Sequence, residues 1–169
     1  MKKNVKTKKR KNGFTLLEII VVMGVIISVV TSIVALNTLS VSSTKVSRSQ
    51  IIAISLSQEG LEIVRNIRDN NWLNGRRTAA NWRTGIDPGD YRVQYNSSAL
   101  LSFSATPLRL NSGFYQYDNG SFTSFYRKVT VEHIGTNQIK VVCTVTWQEQ
   151  GRNHTVSAET RLYNWLEST

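Results

Sequence analysis

The stretch GFTLLEIIVVMGVIISVVTSIVAL, residues 13–36, decides the fold of this chain. The only polar side chains from residue 14 to residue 36 are Thr15, Glu18, Ser28, Thr31 and Ser32. As an α-helix, this segment would be about 35 Å long, which is enough to cross the hydrocarbon core of a bilayer. We therefore predict a transmembrane helix over residues 14–36.

A basic tail precedes this helix. Residues 1–13 contain no acidic residue, and their basic residues are Lys2, Lys3, Lys6, Lys8, Lys9, Arg10 and Lys11. Basic residues on one flank of a membrane span favour the cytoplasmic side for that flank. The whole chain has a net charge of +10. Because most of that charge lies in the tail, it is weak evidence for a nucleic-acid partner of the rest of the chain.

Residues 37–72 are predicted to continue the helix as an amphipathic segment. Apolar residues recur there at helical spacing, with Gly60 in the same row: Ile52, Leu56, Ile63 and Ile67. The charged residues predicted to face water are Glu59, Glu62, Arg65, Arg68 and Asp69. Asparagines and Gly75 follow, and they favour the end of the helix.

Residues 73–169 change from helical periodicity to alternation. Tyr91, Val93 and Tyr95 are predicted to lie on one face of a strand. Further strands are predicted over residues 114–117, 126–133, 139–148 and 155–163. Short Gly- and Asn-containing turns separate the later ones, which favours an antiparallel meander. The predicted fold class is α+β, a long N-terminal helix packed on a C-terminal antiparallel sheet.

Glu18 requires an explanation, because an unpaired carboxylate inside a membrane span costs several kcal/mol. A free α-amine four residues earlier, on a neighbouring copy of the chain, would be a suitable partner. Such an amine would arise if the chain were cut between the small residue Gly13 and Phe14. We therefore expect Glu18 to act in subunit assembly.

The run from Lys9 to Glu18, a basic leader followed by Gly-Phe-Thr-Leu-Leu-Glu, resembles the class III signal of type IV prepilins and type II secretion pseudopilins. The resemblance implies that prepilin peptidase cleaves after Gly13 and methylates Phe14. It also implies that Glu18 neutralises the N-terminus of an adjacent subunit. The architecture of the family, a long N-terminal helix carrying an antiparallel sheet, agrees with the predicted fold.

The resemblance also implies partners and a location. The partners are prepilin peptidase, other pilin subunits and an inner-membrane assembly platform, and no cofactor is expected. The chain would cross the bacterial inner membrane once, with its N-terminus in the cytoplasm, before entering an extracytoplasmic filament. Ala35 replaces the helix-kinking proline of many major pilins, and Cys143 is the only cysteine. Both features favour a minor pilin or pseudopilin.

Three alternatives use other features of the sequence. A Sec signal peptide also has a basic start, but its apolar core is usually shorter. A single-pass protein that displays a binding domain without polymerising would explain the span but not the motif. A DNA-uptake pilin would use aromatic and basic residues of one predicted loop, namely Trp72, Arg76, Arg77, Trp82 and Arg83.

The sequence contains no recognisable catalytic or metal-binding motif. His133 and His154 are isolated in or beside predicted strands, and neither has a partner at a metal-ligand spacing. Cys143 lies in an alternating apolar run and is expected to be a half-buried strand residue. The sequence therefore predicts a structural protein and not an enzyme.

Overall fold

The computed structural model describes residues 13–76, 78 and 81–165. The basic segment of the predicted leader, residues 1–12, and Arg77 lie outside the described residues. The chain divides into two compact units, Met1–Lys45 and Val46–Thr169. Helix α1 is a single element in the structure, with bounds Leu16–Leu73. Its first part belongs to the first unit, and the remainder belongs to the second.

The second unit contains all eight strands of the described chain. Five of them form an antiparallel sheet in the order β2-β1-β6-β7-β8, and three form a small antiparallel sheet in the order β4-β3-β5. Their bounds are β1 Gly89–Arg92, β2 Leu101–Ser102, β3 Arg109–Asn111, β4 Phe114–Gln116, β5 Ser121–Phe122, β6 Tyr126–His133, β7 Gln138–Glu149 and β8 Arg152–Tyr163.

The β7–β8 hairpin illustrates how the turn chemistry sets the register. Glu149 pairs with Arg152, so the loop consists of Gln150 and Gly151 alone. Both loop residues have positive φ, 52° for Gln150 and 73° for Gly151. A two-residue loop with two positive φ angles matches the right-handed twist of the strands that it joins. The resulting register directs alternate side chains of β7 to the core.

The β6–β7–β8 meander agrees with the predicted strands, but the region before β6 differs from the prediction. Strand β1 ends at Arg92, so Val93 and Tyr95 lie beyond it and do not share one strand face with Tyr91; Val93 is buried and Tyr95 is exposed. Residues 114–116 belong to the separate three-stranded sheet. These strands are two or three residues long. Segments this short carry too little alternation to reveal their sheet partners.

The core of the second unit lies between α1 and the five-stranded sheet. Alternate residues of β7 are buried there, namely Ile139, Val141, Cys143, Val145 and Trp147. The helix contributes a stripe of its own, including Leu56, Leu61, Val64 and Ile67. The predicted α+β class, with a long N-terminal helix packed on an antiparallel sheet, is therefore confirmed.

The buried stripe of α1 is wider than the sequence pattern indicated. Arg68 was predicted to face water, but the structure buries it. Its guanidinium carbon lies 4.1 Å from the centre of the Trp72 ring, and its Nε donates a hydrogen bond to Asp69. An arginine can be buried in this way because its aliphatic stem packs against apolar groups while its planar head stacks on an aromatic ring.

At Gly60, α1 lies too close to β7 to leave room for a side chain. A Cβ atom at this position would lie 2.5 Å from the Sγ atom of Cys143. We predict that Gly60→Ala destabilises the protein, because overpacking costs about 1–3 kcal/mol and outweighs the gain of about 1 kcal/mol in helix propensity. Urea unfolding of the detergent-solubilised chain, followed by tryptophan fluorescence, measures the change.

The control for this prediction is a double-mutant cycle with Cys143→Ala. Removing the Sγ atom removes the clash, so Gly60→Ala should no longer destabilise the protein in that background. The two substitutions should therefore couple by about 1 kcal/mol or more. Additive effects would show that the contact between Gly60 and Cys143 does not limit the packing of α1 on β7.

Candidate functional site

The two residues of the predicted cleavage site are exposed in the structure. Gly13 and Phe14 precede the first residue of α1, and Phe14 is 79% exposed. A Cβ atom added to Gly13 would meet no neighbouring atom within 4 Å. Both residues that flank this peptide bond are therefore exposed within the described part of the chain. Access is the first requirement for a site that a peptidase must bind.

Thr15 caps the first turn of α1. Its Oγ1 accepts a hydrogen bond from the backbone N–H of Glu18 at 3.2 Å, and its carbonyl oxygen accepts one from the N–H of Ile19. Thr15 and Glu18 thus have the spacing of a capping box, in which an acidic residue follows the N-cap by three positions. The carboxylate of Glu18 also lies in the turn where the helix dipole favours negative charge. The Glu18 side chain is therefore placed at the third position of a capped helix, next to the positive end of its dipole.

The remaining polar side chains of the apolar segment satisfy their hydrogen bonds within the helix. Ser28 donates to the carbonyl of Val25 at 2.8 Å, Thr31 to that of Ile27 at 2.9 Å, and Ser32 to that of Ser28 at 2.8 Å. Hydroxyl groups satisfied in this way can enter lipid or a helix bundle at low cost. Glu18 is the only ionisable side chain from residue 14 to residue 44. It is therefore the one group in the segment whose charge an apolar environment would not tolerate unpaired.

Among the described residues, one helix is long and apolar enough to cross a membrane, and it lies near the N-terminus. Its apolar side chains from Leu16 to Val41 are exposed. This surface is much larger than the few hundred Å² that a monomeric soluble protein usually exposes. It requires lipid or other protein chains to cover it.

The loop residues considered for DNA binding do not form one surface. The rings of Trp72 and Trp82 are buried, with their Nε1 atoms donating to Asn164 Oδ1 and to the carbonyl of Thr136. Buried rings are not available to stack on bases. Arg76 donates to Asn71 Oδ1 and Arg83 to the carbonyl of Gly135, while Arg77 lies outside the described residues. The two tryptophan side chains pack in the hydrophobic core.

An ion pair between a buried arginine and a partly exposed glutamate escaped the sequence analysis. The side chain of Arg127 is fully buried, and its Nη1 lies 3.4 Å from Oε2 of Glu59 on α1. Arg127 also donates to the carbonyls of Leu56 and Val93. The sequence contained one indication that Arg127 is buried. Even spacings separate it from Val129 and Val131, so the three side chains lie on the same face of β6. Glu59, predicted to be a solvated residue, is the partner of this buried cation.

The two histidines lie in different environments in the second unit. His133 Nε2 is 2.8 Å from the carbonyl oxygen of Ile86, and the ring of His154 stacks on Trp147 at 5.1 Å. Among the described residues, no group of three His, Cys, Asp or Glu side chains is arranged to hold a metal ion.

The architecture resembles that of a pilin in one respect that the structure establishes, a long apolar N-terminal helix followed by an antiparallel β-sheet. Comparisons of the chain with protein-family profiles, with curated proteins and with solved structures find no match. The functional argument therefore depends on the residues themselves.

Cys143 is buried between α1 and the sheet, and this burial raises the pKa of its thiol from about 9 to about 12. We predict that the folded chain reacts with Ellman's reagent at pH 8 about a thousandfold more slowly than an exposed thiol, because the thiolate is the reactive form. The sign of the shift also means that the stability contributed by the neutral thiol is lost as the pH rises above about 9.

The matched control is a Cys143→Ala, Ser124→Cys double variant, which moves the single thiol to an exposed position. It should react at the rate of a free thiol with or without urea. The chain with its natural cysteine should reach that rate only in urea. Fast labelling of Cys143 in the folded chain would show that the helix–sheet interface opens readily.

Proposed function

We propose that this chain is a minor pilin or pseudopilin, a non-enzymatic subunit that prepilin peptidase processes and that assembles into an extracytoplasmic filament through its N-terminal helix. The observation that carries the proposal is the placement of Gly13, Phe14 and Glu18. An open Gly-Phe bond lies immediately before a capped helix whose apolar stretch contains Glu18 as its single ionisable side chain.

The leader explains why processing must precede assembly. Residues 1–13 carry only positive charge, and the hydrocarbon core strongly opposes the passage of such charges. While the leader is present, it retains the N-terminus on the cytoplasmic side of the membrane. Cleavage after Gly13 removes this charge and creates an α-amine on Phe14. The apolar helix is then able to move out of the bilayer.

Assembly replaces lipid with protein around the helix. The exposed apolar side chains from Leu16 to Val41 would pack against the same segment of other subunits. The carboxylate of Glu18 would pair with the α-amine of a neighbouring Phe14, so that neither charge is buried alone. Since this pairing is satisfied in one register only, it would also fix the axial offset between subunits.

The second unit supports the proposal through its topology. Its sheet packs on the C-terminal part of α1 and encloses a hydrophobic core of its own, as expected of a domain that folds in water. A DNA-uptake role receives less support, because the rings of Trp72 and Trp82 are in the core. A non-polymerising single-pass protein would share the span, but it would not require Glu18.

We predict that the native chain isolated from cell membranes begins at an N-methylated Phe14. The peptidase would cleave after Gly13, and its methylation step would add one methyl group to the new amine. Mass spectrometry of the N-terminal peptide measures both events. An intact leader, or cleavage near Ala35, would favour a simple anchor or a Sec signal instead.

The matched variants for cleavage are Gly13→Val and Gly24→Val. A branched side chain at residue 13 should block the peptidase and leave the leader attached, whereas the same change inside the helix should not. Both glycines are free of neighbouring atoms, so neither substitution creates a clash in the folded chain. Normal processing of Gly13→Val would falsify the assignment of the cleavage site.

For assembly, we predict that Glu18→Ala is inserted and cleaved normally but enters filaments about tenfold less efficiently or worse. The α-amine of a neighbouring subunit would otherwise be buried without a counter-ion. The ratio of the subunit in sheared filaments to that in membranes, measured by quantitative immunoblot, reports the effect.

Glu18→Gln separates this role from helix capping. A glutamine at the third helical position retains the capping-box capacity but carries no charge. If the charge pair drives assembly, Glu18→Gln should be as defective as Glu18→Ala. Filament incorporation restored by glutamine would show that Glu18 acts only through the first turn of α1.

A further inference from the structure

We propose that the second unit carries a saccharide-binding trench between α1 and the loop that follows β1. Two connected depressions form it, with volumes of about 430 Å³ and about 400 Å³, each within the range typical of small-molecule sites. They share Asn70 on the helix and Ser98 on the loop. The trench is separate from the N-terminal segment, and ligand binding there does not require filament assembly.

The helix side of the trench is a row of asparagines. Asn66 and Asn70 lie one turn apart on one face of α1, and Asn74 follows just beyond its last residue, Leu73; all three border the trench. Asparagine is an unfavourable residue in the interior of a helix. This cost applies to Asn66, whereas Asn74 lies at the C-terminus of α1, where asparagine is favoured.

These amides retain free hydrogen-bonding capacity. Asn70 Nδ2 donates to Asn66 Oδ1 at 2.9 Å, while Asn74 Nδ2 donates to the backbone carbonyl of Asn70. Among the described residues, Asn70 Oδ1 and Asn66 Nδ2 have no further partner. An acceptor and a donor held side by side by a mutual hydrogen bond match the vicinal hydroxyls of a sugar ring.

The loop side is held rigidly by Gln94. Its backbone N–H donates to Ser97 Oγ at 2.9 Å, and its Nε2 donates to Asn96 Oδ1 and to Asp118 Oδ2. Its Oε1 accepts the backbone N–H of Tyr117 at 2.8 Å. The loop is therefore fixed before any ligand arrives, which lowers the entropic cost of binding.

Tyr95 supplies an aromatic platform at the rim of the trench. Its ring stacks on Phe114 with centroids 4.6 Å apart, and the two side chains are 43% and 52% exposed. Two exposed rings fixed against each other offer a flat apolar surface beside polar groups. The C–H face of a sugar ring packs on such a surface while its hydroxyls reach the amides.

The charges at the first depression of the trench disfavour an anionic ligand. The two carboxylates at its first depression are already paired, Glu59 with Arg127 and Glu62 with Arg65. No lysine or arginine is among the residues that line this depression. Arg76 lines the second depression and donates a hydrogen bond to Asn71 Oδ1, whereas the two carboxylates of the first depression would repel an anionic ligand. A peptide that binds by strand addition would need a free sheet edge, and no residue that lines the trench belongs to a strand.

The test measures ligand binding to the full chain in lauryldimethylamine oxide, a detergent without a sugar headgroup. The probes are chitotetraose as a neutral saccharide, a sulfated heparin tetrasaccharide as an anionic one, and a neutral Gly-Ser decapeptide. We expect calorimetry to detect chitotetraose with a dissociation constant of about 1 mM or below, and to detect neither of the other probes.

Two variants locate the binding, each with a matched control. Tyr95→Ala should weaken chitotetraose binding about tenfold, whereas Tyr163→Ala, which removes an exposed tyrosine of β8, should not. Asn70→Ala should weaken binding by a similar factor without lowering the melting temperature, because alanine is the better helix former. Gln58→Ala, which removes another exposed amide of α1, should leave binding unchanged.

Loss of binding in Tyr95→Ala and Asn70→Ala, with both controls intact, supports the proposal. Three results would overturn it: no binding of chitotetraose, tighter binding of the heparin tetrasaccharide or of the peptide, or equal binding by all four variants. Since these measurements use the dispersed chain, a failure of the filament proposal would not alter their outcome.

Discussion

The fold of the second unit depends on the guanidinium of Arg127. It donates to the carbonyl of Leu56 on α1 at 3.1 Å and to the carbonyl of Val93, just beyond β1, at 2.5 Å. Glu59 supplies the counter-charge. Arg127 is fully buried, whereas the side chain of Glu59 is 32% exposed, so water also reaches the counter-charge. One side chain of β6 therefore specifies how the helix and the β1 end of the sheet meet.

The contacts around Arg127 explain the small residues beside it. Gly60 allows α1 to approach β7 closely enough for Cys143 to fill the space, and the methylene stem of Arg127 lies against the same glycine. A larger residue at position 60 would separate the helix from the sheet and lengthen the hydrogen bonds of the guanidinium. Close packing and charge compensation thus constrain each other at this point.

The first unit obeys a different physical requirement. Its helical residues bury no side chain within the described chain, and their hydroxyl groups bond back to the helix. Such a segment is stable in an apolar surrounding and poorly suited to water. In the proposed function this segment exchanges lipid for other subunits, while the second unit folds in water around its own core.

Much of the fold could be predicted because its signals are local. The apolar run and the row containing Leu56 and Ile63 predict a helix. The alternation along β7 predicts a strand. The short strands β2 to β5 could not be predicted, since two or three residues show no period. The inward orientation of Arg127 could be predicted from its even spacing to the apolar residues of β6. Its partner Glu59 was not, because that pair joins residues far apart in the chain.

The candidate functional residues were also predictable in part: those at the start of α1 could be predicted, and the trench could not. Gly13, Phe14 and Glu18 follow from the sequence because a charge at the start of an apolar run is unusual wherever the chain folds. The trench was not predictable, because its two walls are separated in sequence and meet only when α1 packs beside the loop after β1. Likewise, only packing could show that Trp72 and Trp82 belong to the core and not to a binding surface.

The sequence by itself determined that a long apolar helix precedes an antiparallel sheet, and that one carboxylate marks the start of that helix. These properties follow from the spacing of polar and apolar side chains along the sequence. Tertiary structure alone decided which polar residues are buried, which aromatic rings remain exposed, and where a groove forms. Those outcomes depend on contacts between side chains that are far apart in sequence. A local sequence pattern contains no information about such contacts.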